Sequence, residues 1–303
     1  MAAAAEPQPA VLPLPGGRTG SSVKLHPLLS GVAKGPPAWI HREEGRLAKL
    51  HALGIGVPKG DYMEIPIVSY LVQHPGAGAV LIDTGLHPSC AVDPKQNLGR
   101  MGTMAFPGLK MEPKDAVAEQ LRARGIQPAD VKVVVMTHLH IDHASAMSEF
   151  PNATFVFSIQ EWDAATDQRN WQHGYRTRQF DHAFDYRTID FEGDAATESY
   201  ATFGRSVDLF GDGSVRLVYT PGHTHGHMSV VLRLAGEREA LVAGDAIYTR
   251  HALATGHRPF RIEDAHLYGR SLREIQLYAE TNPDAVIVPG HDMPAWRELE
   301  PVY

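Results

Sequence analysis

The residues best suited to chemistry in this sequence form one short cluster of metal-binding side chains. His138, His140, Asp142 and His143 come directly after the apolar run at 131–136. His138 and His140 are two residues apart, so in an extended segment their side chains lie on one face and can bind a single ion. Asp142 and His143 lie just beyond, where the chain turns, and can face a second ion. The pattern predicts a metal centre of imidazole and carboxylate groups, which is the kind that activates water.

Three more candidate ligands each follow an apolar run and a glycine. They are His223 in the segment TPGHTHGH, Asp245 in VAGDAIY and His291 in VPGHD. Because each one follows a predicted strand, each can project from a strand end into a common cleft. His225 and His227 lie close to His223 and are alternatives to it as a ligand.

Composition limits both the partners and the kind of metal site. The 303 residues carry a formal net charge of -7, which disfavours nucleic acid as a partner and a basic membrane-surface role. The single cysteine, Cys90, cannot form an internal disulfide or a thiolate metal site, so the ligands must be histidines and carboxylates. We find no apolar stretch long enough for a membrane span, and we expect a cytoplasmic protein.

Apolar runs and turn signals predict strands that alternate with helices. Helices are expected over 113–124 and 266–280, and Asp212-Gly213 marks a hairpin between two apolar runs. Further strands are expected at 63–72, 131–136, 152–158, 227–234, 239–244 and 285–290, and at a short apolar run that ends at Asp83. Two strand-rich halves, roughly 62–160 and 206–290, predict an α/β fold with a four-layer αββα sandwich.

The predicted domain organisation is one large domain with two additions. Residues 1–20 are rich in alanine, proline and glycine, and we expect a flexible N-terminal tail. Residues 21–303 then form a single domain. Within it, residues 161–205 are aromatic and charged without clean periodicity, and we expect an insertion over the layers.

With these motifs in order along the chain, the sequence resembles the metallo-β-lactamase superfamily. The resemblance runs from Ile65 to His291 and includes Asp83 in the segment IDTG, a position that in the family supports a ligand. The resemblance implies two divalent ions, with zinc as the expected metal and cobalt, manganese or iron as alternatives. One ion would be held by His138, His140 and His223, the other by Asp142, His143 and His291, with Asp245 bridging the two. Capping the turn after a strand is the alternative role for Asp83.

Within the superfamily, the sequence is most similar to the N-acyl homoserine lactone lactonases, the quorum-quenching branch. The segment GDAIYT carries this similarity, because Tyr248 lies three residues after Asp245 and in those enzymes a tyrosine at this spacing hydrogen-bonds the substrate. The resemblance implies a hydrolase that opens the lactone ring by attack of a metal-bound hydroxide, with Asp142 or Asp245 as proton carrier. Packing at the rim of a sheet is the alternative role for Tyr248.

The implied partner is a small-molecule lactone, and related lactonases are often dimers, so the resemblance allows a homodimer. Alternative functions are a lactonase for another ring such as pyridoxolactone, a glyoxalase II-like thioester hydrolase, and a non-catalytic binding protein. The thioester hydrolase predicts a basic C-terminus, whereas the last eight residues contain one basic group, Arg297. The segment with Met101, Met104, Phe106 and Leu109 either covers an acyl chain or is an ordinary packed loop.

Overall fold

The computed structural model describes residues 4–193 and 197–303, in which strands and helices alternate. The strands are β1 (Gln8–Pro9), β2 (Lys24–Gly35), β3 (Met63–His74), β4 (Gly78–Ile82), β5 (Val133–Val135), β6 (Thr154–Ser158), β7 (Asp185–Ile189), β8 (Glu198–Tyr200), β9 (Phe203–Asp208), β10 (Val215–Tyr219), β11 (Met228–Arg233), β12 (Glu239–Gly244) and β13 (Val286–Pro289). The α-helices are α1 (Pro37–Ile40), α2 (Ala48–Ala52), α3 (Lys95–Ala105), α4 (Val117–Arg122), α5 (Ile159–Thr166), α6 (Thr177–Phe180), α7 (Arg250–Thr255), α8 (Ala265–Thr281) and α9 (Met293–Arg297).

The described strands form two mixed sheets. The first has the order β1-β7-β6-β5-β4-β3-β2, and the second has the order β13-β12-β11-β10-β9-β8. In the first sheet β2, β3 and β4 are antiparallel, whereas β4 to β7 run parallel. In the second sheet β13 is parallel to β12 and the other pairs are antiparallel. The parallel strands β4 and β5 therefore end at one edge of the first sheet, and β12 and β13 end at one edge of the second.

Apolar side chains on both faces of the sheets build the layers. The main apolar cluster joins the two sheets, with Tyr70 from the first and Leu217 from the second. Because successive strand residues point to opposite faces, Val218 lies on the other side of β10 and packs with Tyr268 and Ile275 of α8. Helix α4 contributes buried residues to the main cluster and contacts β2. The structure thus confirms the predicted α/β sandwich.

Local sequence signals explain the helix and the hairpin that the sequence predicted correctly. Asp264 caps α8 by accepting hydrogen bonds from the backbone N–H groups of His266 and Leu267, both at 2.8 Å. The hairpin between β9 and β10 turns at Gly213, whose φ of 75° is a left-handed conformation that favours glycine. Helix 266–280 is therefore confirmed to within one residue at each end, and the hairpin is confirmed at the predicted turn.

Two expectations were wrong in detail. The helix predicted over 113–124 is a 3-10 turn at Pro113–Asp115 followed by the short helix α4, because Ala116 between them is extended at φ -56° and ψ 133°. Strand β2 was not predicted, although it has 12 residues. Its apolar alternation is interrupted by Pro27 and by a bulge between Leu29 and Gly31.

The two predicted additions are closely connected to the sheets. Residues of the expected flexible tail contact both sheets: β1 runs parallel to β7 of the first sheet, and the backbone N–H of Leu14 donates to the carbonyl of Leu209, directly after β9 of the second sheet, at 2.8 Å. The expected insertion at 161–205 supplies strands β7 and β8 and part of β9 to the sheets. Residues 194–196 of this segment and 1–3 of the tail lie outside the described residues. No helix in the described part of the chain is long and apolar enough to cross a membrane.

Candidate metal centre and substrate cleft

All seven candidate ligands lie at strand ends that meet in one place. The loop after β5 carries His138, His140, Asp142 and His143, and the loops after β10, β12 and β13 carry one ligand each. The seven side chains are His138, His140, Asp142, His143, His223, Asp245 and His291, and they are between 0% and 8% exposed. Residues that are up to 153 positions apart in the sequence therefore share one buried cluster, from His138 to His291.

Asp245 lies at the centre of this cluster. Its Oδ2 atom is 3.1 Å from Nε2 of His223 and 3.9 Å from Nε2 of His138. Its Oδ1 atom is 3.4 Å from Nε2 of His143 and 3.2 Å from Nε2 of His291. Nε2 of His291 lies 3.2 Å from Oδ2 as well, so this one carboxylate contacts imidazoles of both candidate ligand groups, as expected of a shared ligand.

The donor atoms fit two divalent ions. They form three groups in which the ligand atoms lie within 4.8 Å of one another: His138, His140 and His223; Asp142, His143 and His291; and His138, His143 and Asp245. Among the described residues, the Nε2 atoms of His138 and His143 are buried without a hydrogen-bond partner, and Nδ1 of His140 faces Nε2 of His223 at 3.0 Å. Because unpaired buried polar atoms are costly, nitrogen atoms left in this way are suited to coordinate a metal.

Burial keeps several of the imidazoles in the form that binds metal. It lowers the pKa of His138 and His140 well below the usual value, with help from neighbouring imidazoles. Burial likewise lowers the pKa of His223 to about 4. A neutral imidazole keeps a lone pair for a ligand bond, so these three side chains are available to a cation at neutral pH.

Asp83 orients one ligand from outside the cluster. Its carboxylate accepts hydrogen bonds from the backbone N–H and the hydroxyl of Thr137, both at 2.8 Å, and from Nδ1 of His143 at 2.8 Å. The backbone of Asp83 has a positive φ of 58°. The side chain therefore caps the strand end and also fixes the ring of His143 with Nε2 toward the cluster, so the two roles considered for Asp83 occur together.

The structure separates the three histidines of the segment TPGHTHGH. His223 lies in the cluster, whereas His225 is half exposed with Nε2 3.9 Å from a carboxylate oxygen of Glu263. His227 is fully buried, but its Nε2 accepts a hydrogen bond from the backbone N–H of Asp245 at 3.0 Å. His227 therefore positions the Asp245 loop and has no free nitrogen for a metal.

Glu161 is a functional residue that the sequence pattern did not indicate. It is fully buried, and its carboxylate accepts hydrogen bonds from the backbone N–H of Leu139 at 2.7 Å and from the Thr224 hydroxyl at 2.6 Å. Ser158 accepts a hydrogen bond from the backbone N–H of Glu161, so the Ser-x-x-Glu spacing resembles an ordinary helix cap. The local sequence therefore gives no sign that this side chain connects two ligand loops.

A cleft opens onto the cluster. Tyr248 lines it, is 5% exposed and has its ring centroid 4.9 Å from that of His291. Burial first, and then the charges of Asp245 and Asp142, hold the pKa of Tyr248 well above its usual value, so its hydroxyl remains a hydrogen-bond donor. Apolar side chains line another part of the cleft: Trp39, Ile40, Ile65, Phe106 and Ile141.

The segment that contains Met101 and Met104 has only a small part in this cleft. Both methionines lie on α3 and are 59% and 79% exposed. Phe106 lines the cleft, whereas Leu109 packs against a neighbouring apolar cluster. Of the four side chains considered as cover for an acyl chain, Phe106 is the one that the structure places on the cleft wall.

Comparison with known proteins gives consistent matches to one family. The family model described as the metallo-beta-lactamase superfamily matches residues 63–291. The N-acyl homoserine lactonase AttM of Agrobacterium fabrum is 32% identical over 92% of this chain and 97% of its own length. AttM of Azorhizobium caulinodans is 33% identical with the same coverage. The probable metallo-hydrolase Rv2300c of Mycobacterium tuberculosis is 29% identical over 86% of this chain and 82% of its own length.

Solved structures have the same fold. An N-acyl homoserine lactone hydrolase with N-hexanoyl-L-homoserine bound at its catalytic metal centre superposes with a TM-score of 0.72 at 22% identity. The match covers 92% of this chain and 97% of the other.

Proposed function

Because the chain belongs to the metallo-β-lactamase superfamily, we propose that it is a dinuclear metal-dependent hydrolase that opens the ring of N-acyl homoserine lactones. One observation carries the proposal: Asp245 and six further candidate ligands form one buried cluster, and Tyr248 lies beside them in a cleft with an apolar wall. Relatives named N-acyl homoserine lactonase, at 32% and 33% identity over 92% of the chain, support the choice of substrate.

We assign the ligands to two sites that share Asp245. The first is formed by His138, His140 and His223, and the second by Asp142, His143 and His291. Imidazole and carboxylate donors without a thiolate suit zinc, with cobalt, manganese and iron as alternatives. When bound, two divalent ions would lower the pKa of a coordinated water toward neutrality and polarise a carbonyl group.

The protein's own residues supply position and protons. The Tyr248 hydroxyl can donate a hydrogen bond to an oxygen of the lactone, because it stays protonated at neutral pH. Asp142 and Asp245 are carboxylates at the cluster and can carry a proton to the leaving oxygen of the ring. The apolar wall, which includes Ile65 and Phe106, can bury an acyl chain and exclude water from it.

A substrate panel tests the proposal. The zinc-loaded protein is given N-acyl homoserine lactones of several chain lengths, a γ-lactone without an amide, pyridoxolactone, a glutathione thioester and an aryl ester, and acid release is followed. We expect the acyl homoserine lactones to have the highest kcat/KM. If pyridoxolactone or the thioester had a higher kcat/KM than the acyl homoserine lactones, the corresponding alternative function would hold in place of this one.

Metal analysis tests the dinuclear site separately. Protein purified without chelator should hold two divalent ions per chain, and removal of both should abolish turnover that zinc then restores. One ion or none per chain, with activity retained, would contradict the assignment of two sites.

A further inference from the structure

Arg261 lies on the wall of the cleft, and its charge interacts with Glu263 and Tyr248. It lines the same cleft as His223 and Tyr248 and is partly buried. Within residues 4–193 and 197–303, its guanidinium makes no hydrogen bond or ion pair. A guanidinium has five N–H donors and no acceptor, so a position with little water and no acceptor is unfavourable for it unless a ligand supplies one.

The carboxylate nearest in sequence is already engaged elsewhere. Glu263 accepts hydrogen bonds from the Tyr175 hydroxyl at 3.1 Å and from the backbone N–H of His225 at 2.8 Å. Nδ1 of His173 lies 3.3 Å from the same carboxylate. These contacts hold Glu263 in place, and it forms no ion pair with Arg261.

The segment that carries Arg261 is fixed to a ligand loop. The backbone N–H of Glu263 lies 3.0 Å from the carbonyl of Gly222 and 3.1 Å from that of His223, and the N–H of Asp264 donates to Gly222 at 3.0 Å. The backbone two residues after Arg261 is therefore attached to the loop of a candidate metal ligand. This attachment makes Arg261 part of a preformed wall, so ligand binding does not carry the entropic cost of ordering this segment.

The cleft thus has three chemically different parts: the metal cluster, an apolar wall and one unpaired cation. A ligand that matches them carries a hydrolysable ring, an alkyl chain and a further oxygen acceptor. In an N-acyl homoserine lactone, the amide carbonyl is such an acceptor. We propose that Arg261 is a specificity-determining residue that donates a hydrogen bond to the acyl amide carbonyl of the substrate; this inference rests on the proposed function.

Two substrates that differ in the amide test this role. Initial rates of the zinc-loaded wild type, Arg261→Met and Arg261→Lys are compared on N-hexanoyl homoserine lactone and on γ-decalactone, which has an alkyl chain and no amide. A hydrogen bond from a charged donor predicts that Arg261→Met lowers kcat/KM for the amide substrate by about tenfold or more. The loss should fall mainly on KM, because the contact is remote from the reacting atoms. Arg261→Lys should recover part of it.

The control variant is Arg258→Met, which removes an exposed cation from the same segment and should leave both substrates unaffected. Zinc content and melting temperature of each variant confirm that the site is intact. An equal loss on both substrates, or no loss on either, would overturn the role of Arg261 while leaving the lactonase function in place. A wild-type protein that hydrolyses γ-decalactone but no acyl homoserine lactone would overturn the substrate proposal itself, and with it this inference.

Discussion

The carboxylate of Glu161 accepts a hydrogen bond from the Thr224 hydroxyl at 2.6 Å. Its other oxygen accepts one from the backbone N–H of Leu139 at 2.7 Å. Leu139 lies between two candidate ligands, and Thr224 directly follows His223. One buried side chain on α5 thus connects the two loops that carry the candidate ligands of the proposed first site.

We expect Glu161→Ala to weaken that site. The change leaves the Leu139 N–H buried without an acceptor, which costs about 1–3 kcal/mol of folding stability. Loss of this kind of support should lower zinc affinity or activity by about 10–100-fold. Chelator competition and kcat/KM measure the effect, with Asp163→Ala as control, because Asp163 is exposed on the same helix. Unchanged zinc affinity in Glu161→Ala would show that the two loops hold their positions without it.

Asp83→Asn should act on the second metal site. An asparagine keeps an oxygen for Thr137 but presents an amide in place of one of the two carboxylate oxygens, so His143 loses its charged acceptor. We expect the affinity for the ion at His143 to fall by about 10–100-fold. Stepwise zinc titration separates the two ions. Equal retention of both ions would mean that Asp83 acts only as a turn cap.

Asp142→Asn should preserve the fold and lower turnover by orders of magnitude. It removes a charged ligand of the second site and a carboxylate that can carry a proton, and proton transfer by a positioned group contributes about 10²–10⁴-fold. Circular dichroism and kcat on the best substrate of the panel measure the outcome. Near-native turnover would remove Asp142 from the proposed machinery.

Tyr248→Phe should lower lactone turnover more modestly while both ions stay bound. The ring remains packed against His291, and only the hydroxyl is lost. One hydrogen bond of ordinary strength, about 0.5–1.5 kcal/mol, corresponds to a loss of up to about tenfold. If kcat and kcat/KM match the wild type, Tyr248 is a packing residue.

His74 should make stability depend on pH away from the metal centre. Its Nδ1 accepts hydrogen bonds from the backbone N–H groups of Gly76 and Ala77, at 3.0 and 2.9 Å, so the contact requires a neutral ring. Burial lowers the pKa of His74, although Asp212 opposes the shift. The unfolded chain therefore binds a proton that the folded chain does not, and this stability is lost as pH falls below the ordinary value of 6.5.

Urea unfolding at about pH 7.5 and about pH 5.5 tests this linkage. The wild type should lose more stability on acidification than His74→Gln does, since each unit of pKa difference is worth about 1.4 kcal/mol. His26→Gln, on the neighbouring strand β2 and only partly buried, is the control. Equal pH dependence in all three proteins would contradict the role of His74.

The sequence by itself determined the ligand types and most strands, because both depend on local patterns. The cluster from His138 to His143 is contained in six residues, and buried strands such as β5 and β12 appear as continuous apolar runs. Strand ends in an α/β sandwich meet at shared edges, so the sequence alone predicted that the candidate ligands lie close together. Strand β2 was not found, because a proline and a bulge interrupt its pattern.

Only the tertiary structure decided which neighbours support and surround these ligands. Glu161 and Thr224 are 63 residues apart, and no local pattern relates them. Likewise His227 is a histidine only four residues after His223, yet its Nε2 atom accepts a hydrogen bond from the backbone N–H of Asp245. The unpaired guanidinium of Arg261 is recognisable only once the surrounding acceptors have been located. Such roles depend on contacts between distant segments, and these exist only when the sheets have packed.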